Sequence, residues 1–133
     1  MIYCSGNSST TCTTKSFSDG NCYLDSSNSL NVIHCNSTVC ISSPGKSSVG
    51  YAYIDSSQSS LKYLITCSED ENGCQSKNSR SEGVTSYFID AGNFNNIITC
   101  TSNCVYSESG ATTSQNFNSI ILSLLILQKN YLY

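Results

Sequence analysis

The chain has 133 residues, a net charge of −3 and a pI near 4.8, and its six Lys and Arg are scattered. That balance excludes a basic surface of the kind that neutralises nucleic-acid phosphates. Charged residues make up 11% and Trp is absent, so the chain is neither a highly charged disordered segment nor rich enough in large apolar groups for a thick core. Nine cysteines, with two sequons that permit N-glycosylation at Asn7 and Asn36, point to an oxidising, extracellular setting.

In chain order, residues 1–4 read as a short strand, with no signal peptide ahead of them, so export would need a segment missing here and the sequence reads as a fragment of a longer array. Residues 5–11 form a polar loop carrying the sequon Asn7-Ser8-Ser9, and 13–20 a connection ending on the turn signal Asp19-Gly20. Strands are predicted at 22–25 and 31–35, followed by the sequon Asn36-Ser37-Thr38 and a short strand at 40–41. Pro44-Gly45 marks a turn, and 51–55 is a strand of alternating character. Residues 61–95 repeat this order with an acidic loop, Glu69-Asp70-Glu71-Asn72-Gly73, which lacks the alternating ligands and terminal Glu of an EF-hand and reads as a solvated loop. The last copy begins at Asn96. The apolar run 120–127 then departs from the pattern and is far short of the ~20 residues of a spanning helix.

The order is periodic. Cys4, Cys35, Cys67 and Cys100 are separated by 31, 32 and 33 residues, with Ile2, Ile33, Ile65 and Ile98 two places before them. Tyr23, Tyr53 and Phe88 align, as do Leu24, Ile54 and Ile89, and Asp25, Asp55 and Asp90. A unit of about 32 residues cannot bury a core alone, whereas stacked units can. The fold expected is therefore all-β, a tandem array forming a β-solenoid of short strands with disulfide-closed loops. Small disulfide-stapled β modules are the rival. The array spans 1–110 (1–21 partial, 22–50, 51–83, 84–110 partial), and 111–133 is an aberrant apolar tail, a cap or a mispredicted end.

Alternation along a strand places Ile33 with Cys35, Ile65 with Cys67 and Ile98 with Cys100 on an inner face. Leu24, Ile54 and Ile89 share a face with Cys22, Ala52 and Tyr87. The aromatic and Asp columns then form an exposed ladder, which docks a protein, stacks on sugar rings, or simply braces the frame while Asp caps a turn. Pairing within copies gives Cys4–Cys12, Cys35–Cys40, Cys67–Cys74 and Cys100–Cys104, while stacking would also bring Cys35 within reach of Cys67. Cys22 is left over, as a buried thiol or an intermolecular bridge.

No zinc knuckle, phosphate loop, G-x-S-x-G or H-E-x-x-H occurs, and no cofactor or metal site is expected. His34 and Cys35, adjacent in a strand, face opposite sides. Asp25, Asp55 and Asp90 occupy like environments, whereas acid–base catalysis needs carboxylates in unlike ones. The expectation is a protein without catalytic residues.

The units Tyr87-Phe88-Ile89-Asp90-Ala91-Gly92 and Ile97-Ile98-Thr99-Cys100 to Cys104 resemble the repeats of scaffoldins from anaerobic gut fungi, with Tyr51 to Cys74 and Cys22 to Cys40 as looser matches. The resemblance covers about residues 1–110 and implies a secreted, non-catalytic scaffold. Its repeats bind dockerin modules of plant-polysaccharide-degrading enzymes and gather them into a cellulosome. It transfers no specific contact residues. Tyr23, Asp25, Tyr53, Asp55, Phe88 and Asp90 are the candidate partner-binding residues from the aromatic–Asp columns. The alternative is a secreted cell-wall or surface protein that binds carbohydrate through the aromatic ladder.

Overall fold

The computed structural model describes residues 2–4, 12–14, 16–79 and 84–108, with the side chains of 2–4, 12–14 and 108 excepted. Among these residues the structure is all-β, without helix. Its strands are β1 (Ile2–Cys4), β2 (Cys12–Thr14), β3 (Cys22–Leu24), β4 (Asn31–Cys35), β5 (Cys40–Pro44), β6 (Tyr51–Ile54), β7 (Tyr63–Cys67), β8 (Cys74–Asn78), β9 (Ser86–Asp90), β10 (Asn96–Cys100) and β11 (Cys104–Glu108).

Short turns join consecutive strands, and short connections force antiparallel neighbours. Strands β3-β4-β5 therefore form one meander, with Cys22 opposite His34 and Cys35 opposite Cys40. Strands β6-β7-β8 form a second, with Tyr53 opposite Ile65 and Cys67 opposite Cys74. Strands β9-β10-β11 form a third, with Phe88 opposite Ile98 and Cys100 opposite Cys104. The hairpin β1-β2 pairs Cys4 with Cys12 by backbone register.

The expected solenoid is corrected here. A solenoid stacks equivalent strands of successive coils in parallel, but here each meander is an antiparallel sheet and, among the described residues, only first strands meet in parallel. Tyr51 and Ala52 of β6 lie beside Ile89 and Asp90 of β9, making one six-stranded sheet of order β11-β10-β9-β6-β7-β8. Cys22 of β3 bridges in parallel to Asp55 just beyond β6. The amides of Ser56 and Ala91 donate to the carbonyls of Cys22 and Ala52, each at 2.9 Å. Away from these seams, the amides of Cys74 and Cys104 donate to the carbonyls of Ser29 and Leu61, each at 2.7 Å.

The core lies between meanders rather than inside one. Cys22 and Val32 pack with Tyr53, Ile65, Cys67 and Cys74 of the following meander. Ala52, Ile54 and Leu64 pack in the same way with Phe88, Ile98, Cys100 and Cys104. Ile65 and Ile98 have no exposed surface, and burying such a side chain contributes about 1.5–3 kcal/mol. The expected shared face of Cys22, Ala52, Tyr87, Leu24, Ile54 and Ile89 holds in part. Leu24 and Tyr87 are exposed, because each lies where no further described sheet covers it.

Disulfides join Cys35–Cys40, Cys67–Cys74 and Cys100–Cys104, the pairings within copies rather than between them. The side chains of Cys4 and Cys12, the sequon residue Asn7 and the tail 111–133 lie outside the described residues. Three disulfides in so short a chain fit an extracellular protein, and among the described residues no helix is long and apolar enough to cross a membrane.

Candidate functional site

The Asp columns are turn locks. Asp25 follows β3 and accepts the amide and hydroxyl of Ser27 at 2.8 and 2.6 Å on Oδ1, and the hydroxyl of Ser42 on Oδ2. Asp55 accepts the Ser57 amide and hydroxyl at 2.9 and 2.6 Å on one oxygen and the Ser76 hydroxyl on the other. Asp90 accepts the Gly92 amide at 2.9 Å and the Asn96 side-chain amide at 3.3 Å. Each carboxylate thus holds the turn after its own strand. Asp25 and Asp55 also reach the third strand of their meander.

The serines hold the Asp25 carboxyl at about 2, below its ordinary 3.8, with the Ser27 hydroxyl as the largest cause. Asp90 moves the other way, because burial raises its carboxyl above the ordinary value. Asp55 and Asp90 are buried at 1% and 5% exposure, so little carboxylate is offered to a partner.

The exposed aromatic ladder is also corrected. Tyr23 and Tyr53 are each 7% exposed and Phe88 is packed against the core, because Tyr53 and Phe88 each turn into the core shared with the preceding meander. The two tyrosine hydroxyls are engaged as well. The Lys46 amide donates to Tyr53 Oη at 3.0 Å, and the Asn21 side chain donates to Tyr23 Oη at 2.9 Å.

The exposed aromatic feature lies elsewhere. Tyr51 and Phe94 meet edge to face with centroids 5.8 Å apart, and Lys46 Nζ stands 5.2 and 5.6 Å from the two rings. Phe94 is 50% exposed. Sequence reasoning passed over this patch because Phe94 stands in a polar turn and aligns with Ser29 and Leu61 rather than with aromatics.

The disulfide-closed hairpins carry further exposed groups. Residues 36–39 and 101–103 are exposed, and the exposed Ile41, Val105 and Tyr106 follow them on the outer strands. The hairpin of the second meander differs in chemistry. Thr66, Ser68, Asp70, Asn72, Gln75 and Lys77 line an open polar hollow of about 430 Å³. Asp70 there accepts the Ser68 hydroxyl at 2.6 Å and the Asn72 amide at 2.9 Å, which lowers its carboxyl below the ordinary value. The acidic run is thus a bonded turn at the surface.

Cys22 is a free, buried thiol opposite His34. The nearness of Asp90 to His34 suggests a thiol, imidazole and carboxylate set. The physical chemistry runs against activation, since burial first, and then Asp90 and Asp55, push the Cys22 thiol up to about 12. A nucleophilic cysteine needs the opposite shift. Among the described residues, no three His, Cys, Asp or Glu side chains gather as a metal site. Comparisons with models of protein families, with curated proteins and with solved structures find no match.

Proposed function

We propose that the chain is a non-catalytic extracellular scaffold, built from tandem copies of one three-stranded unit, whose disulfide-closed hairpins bind protein partners. The observation that carries this reading is the division of labour along each unit. The aromatic, aliphatic and Asp positions are spent on seams and turns, while the hairpins stay exposed and differ in length and charge. Such an arrangement presents several variable sites on one frame, and tandem sites raise avidity without new contacts.

The resemblance to scaffoldin repeats names the partner class as dockerin modules of plant-cell-wall-degrading enzymes. The test is a pull-down in which the oxidised full chain, immobilised, is challenged with dockerin-bearing hydrolases. Retention is expected to fall when Glu69, Asp70, Glu71 and Asn72 are replaced together by Ser or Gly, and to survive Tyr23→Phe. No retention by the native chain would sink the dockerin reading.

The second reading, a cell-wall or surface protein that binds polysaccharide, draws support from the half-exposed Phe94 beside Tyr51. Binding to cellulose or wall glucan that disappears in Phe94→Ala, with no enzyme retained, would favour it over the first.

A further inference from the structure

Asn36 begins the hairpin that the Cys35–Cys40 disulfide closes, and it heads the sequon Asn36-Ser37-Thr38. All residues from 36 to 39 are exposed. The Asn36 carboxamide is held by its oxygen alone. Oδ1 accepts the Thr38 amide at 2.8 Å, the Thr38 hydroxyl at 2.9 Å and the Val39 amide at 2.8 Å. The backbone amide of Asn36 closes the turn on the Val39 carbonyl at 2.9 Å. With the oxygen fixed toward the backbone, Nδ2 points away from it and has no hydrogen-bond partner among the described residues. The sequon threonine is thus already against the carboxamide it must serve.

The surroundings have room for a bulky group. Thr38 and Val39 form one lip of an open, mostly apolar cleft of about 440 Å³, shared with Phe17, Ile33, Cys40 and Ser42. Val39, whose carbonyl accepts the Asn36 amide, and Ile41 two places on are 45% and 58% exposed, so solvent meets apolar side chains close to Asn36 in the chain. The corresponding hairpins begin with Ser68 and Thr101 and carry no sequon. The tip also stands clear of both seams, at Cys22–Asp55 and Ala52–Asp90, so a group attached there leaves the stacking of meanders untouched.

We propose that Asn36 is an acceptor for an N-linked glycan, whose innermost sugars lie over the Val39 and Ile41 strip. In the transfer, Nδ2 forms a bond to the anomeric carbon of a lipid-linked diphospho-oligosaccharide. The bond from that carbon to the diphosphate oxygen breaks, the diphosphate leaves with the electron pair, and Nδ2 gives up one proton to a base of the transferase. A glycan here would make the hairpins unequal, shielding one of them and leaving 68–73 and 101–103 bare.

The experiment is expression of the full chain behind a secretory leader in a eukaryotic host, followed by mass analysis of the peptide that contains Asn36 before and after peptide-N-glycosidase. The expected result is a glycan mass on that peptide in the native sequence, with Asn36 converted to Asp when the glycan is released. Thr38→Ser keeps the glycan, and Thr38→Ala loses it. Asn36→Asp also loses it while keeping an oxygen for the same three donors, which separates loss of modification from loss of fold. Asn7→Gln, in the other sequon, leaves the Asn36 signal unchanged. Secreted, oxidised native protein with an unmodified Asn36 would overturn the proposal, and that reading depends on no variant folding.

Discussion

Ser76, on the last strand of its meander, donates its hydroxyl to the carboxylate of Asp55 at the end of the first. One side chain thereby ties the turn after β6 to a strand that is otherwise polar and at the sheet edge. Replacing Asp55 by Ala removes the acceptors for Ser57 and Ser76 together. It is expected to cost about 2–4 kcal/mol, since hydrogen bonds to charged groups are worth about 1.5–3 kcal/mol. Asp55→Asn keeps a carbonyl oxygen for the Ser57 amide and should cost less. Urea unfolding of the oxidised protein checks the order, and an Asp55→Ala protein as stable as the native one would refute the role of the turn lock.

Gly45 follows β5 and lies against the Cys67–Cys74 disulfide of the next meander, where an added Cβ would collide with both sulfurs. Its cost on substitution is steric rather than conformational. Gly45→Ala is expected to destabilise by about 1–3 kcal/mol, the usual penalty for overpacking. Gly20 is the contrast, with φ at 84° and nothing within 4 Å of an added Cβ. Gly20→Ala should cost about 1–2 kcal/mol from the left-handed backbone alone. Limited proteolysis separates the two cases, because only Gly45→Ala should loosen the contact between adjacent meanders.

Cys22 should resist thiol reagents. The residue is 1% exposed and its thiol is pushed up to about 12, so almost no thiolate exists near neutrality. Alkylation of the native oxidised protein at pH 7–8 is expected to leave Cys22 unmodified, and denaturant should release it for complete labelling. Cys22→Ala introduces the residue that occupies the corresponding place at position 52 and should fold normally. Rapid labelling in the native state would show that the second meander does not cover this edge of the first.

The acid limb of stability should carry a component from Asp25. Its folded value, about 2, lies below the ordinary 3.8, so the group adds stability that is full above 3.8 and is lost as pH falls toward 2. Asp90 has the opposite sign. Burial raises its folded value, so its contribution is greatest below 3.8 and declines as pH rises through the folded value. Melting temperature followed from pH 2 to pH 6 should flatten between 2 and 3.8 in Asp25→Asn. In Asp90→Asn the decline above 3.8 should disappear. Identical profiles for both variants and the native protein would remove the assigned signs.

Much of the frame was legible in the chain. The run from an aliphatic pair to cysteine located β4, β7 and β10, and short spacings indicated which cysteines pair. The third strands were only partly visible, because Cys74–Asn78 reads CQSKN and has no apolar alternation. What holds that strand is its backbone ladder to β7 and the Ser76 hydroxyl, neither of which leaves a hydrophobic signature. The exposed ladder failed for a related reason. Alternation sorts residues into two faces, but it does not say that one faces water. Ala52, Tyr53 and Ile54 are all buried because the first meander packs against Tyr53 and the third against Ala52 and Ile54. The aromatic patch at Phe94 left no signal at all, being a partnership between a turn of one meander and the start of another.

The disulfide of each later meander sits in the core shared with the earlier one, Cys67–Cys74 against Cys22 and Val32, and Cys100–Cys104 against Ala52 and Leu64. For the disulfides, though not for the apolar side chains that the meanders bury in common, the dependence runs one way along the chain. During synthesis, which proceeds from the N-terminus, each emerging unit would meet a finished surface on which to oxidise and close. A lesion in an early unit would deprive its successor's sulfurs of cover, whereas a lesion in the last would leave all earlier ones sealed. Loss of cover for the disulfides in such an assembly has a polarity, toward the C-terminus, like a fault in a row of bricks laid in sequence.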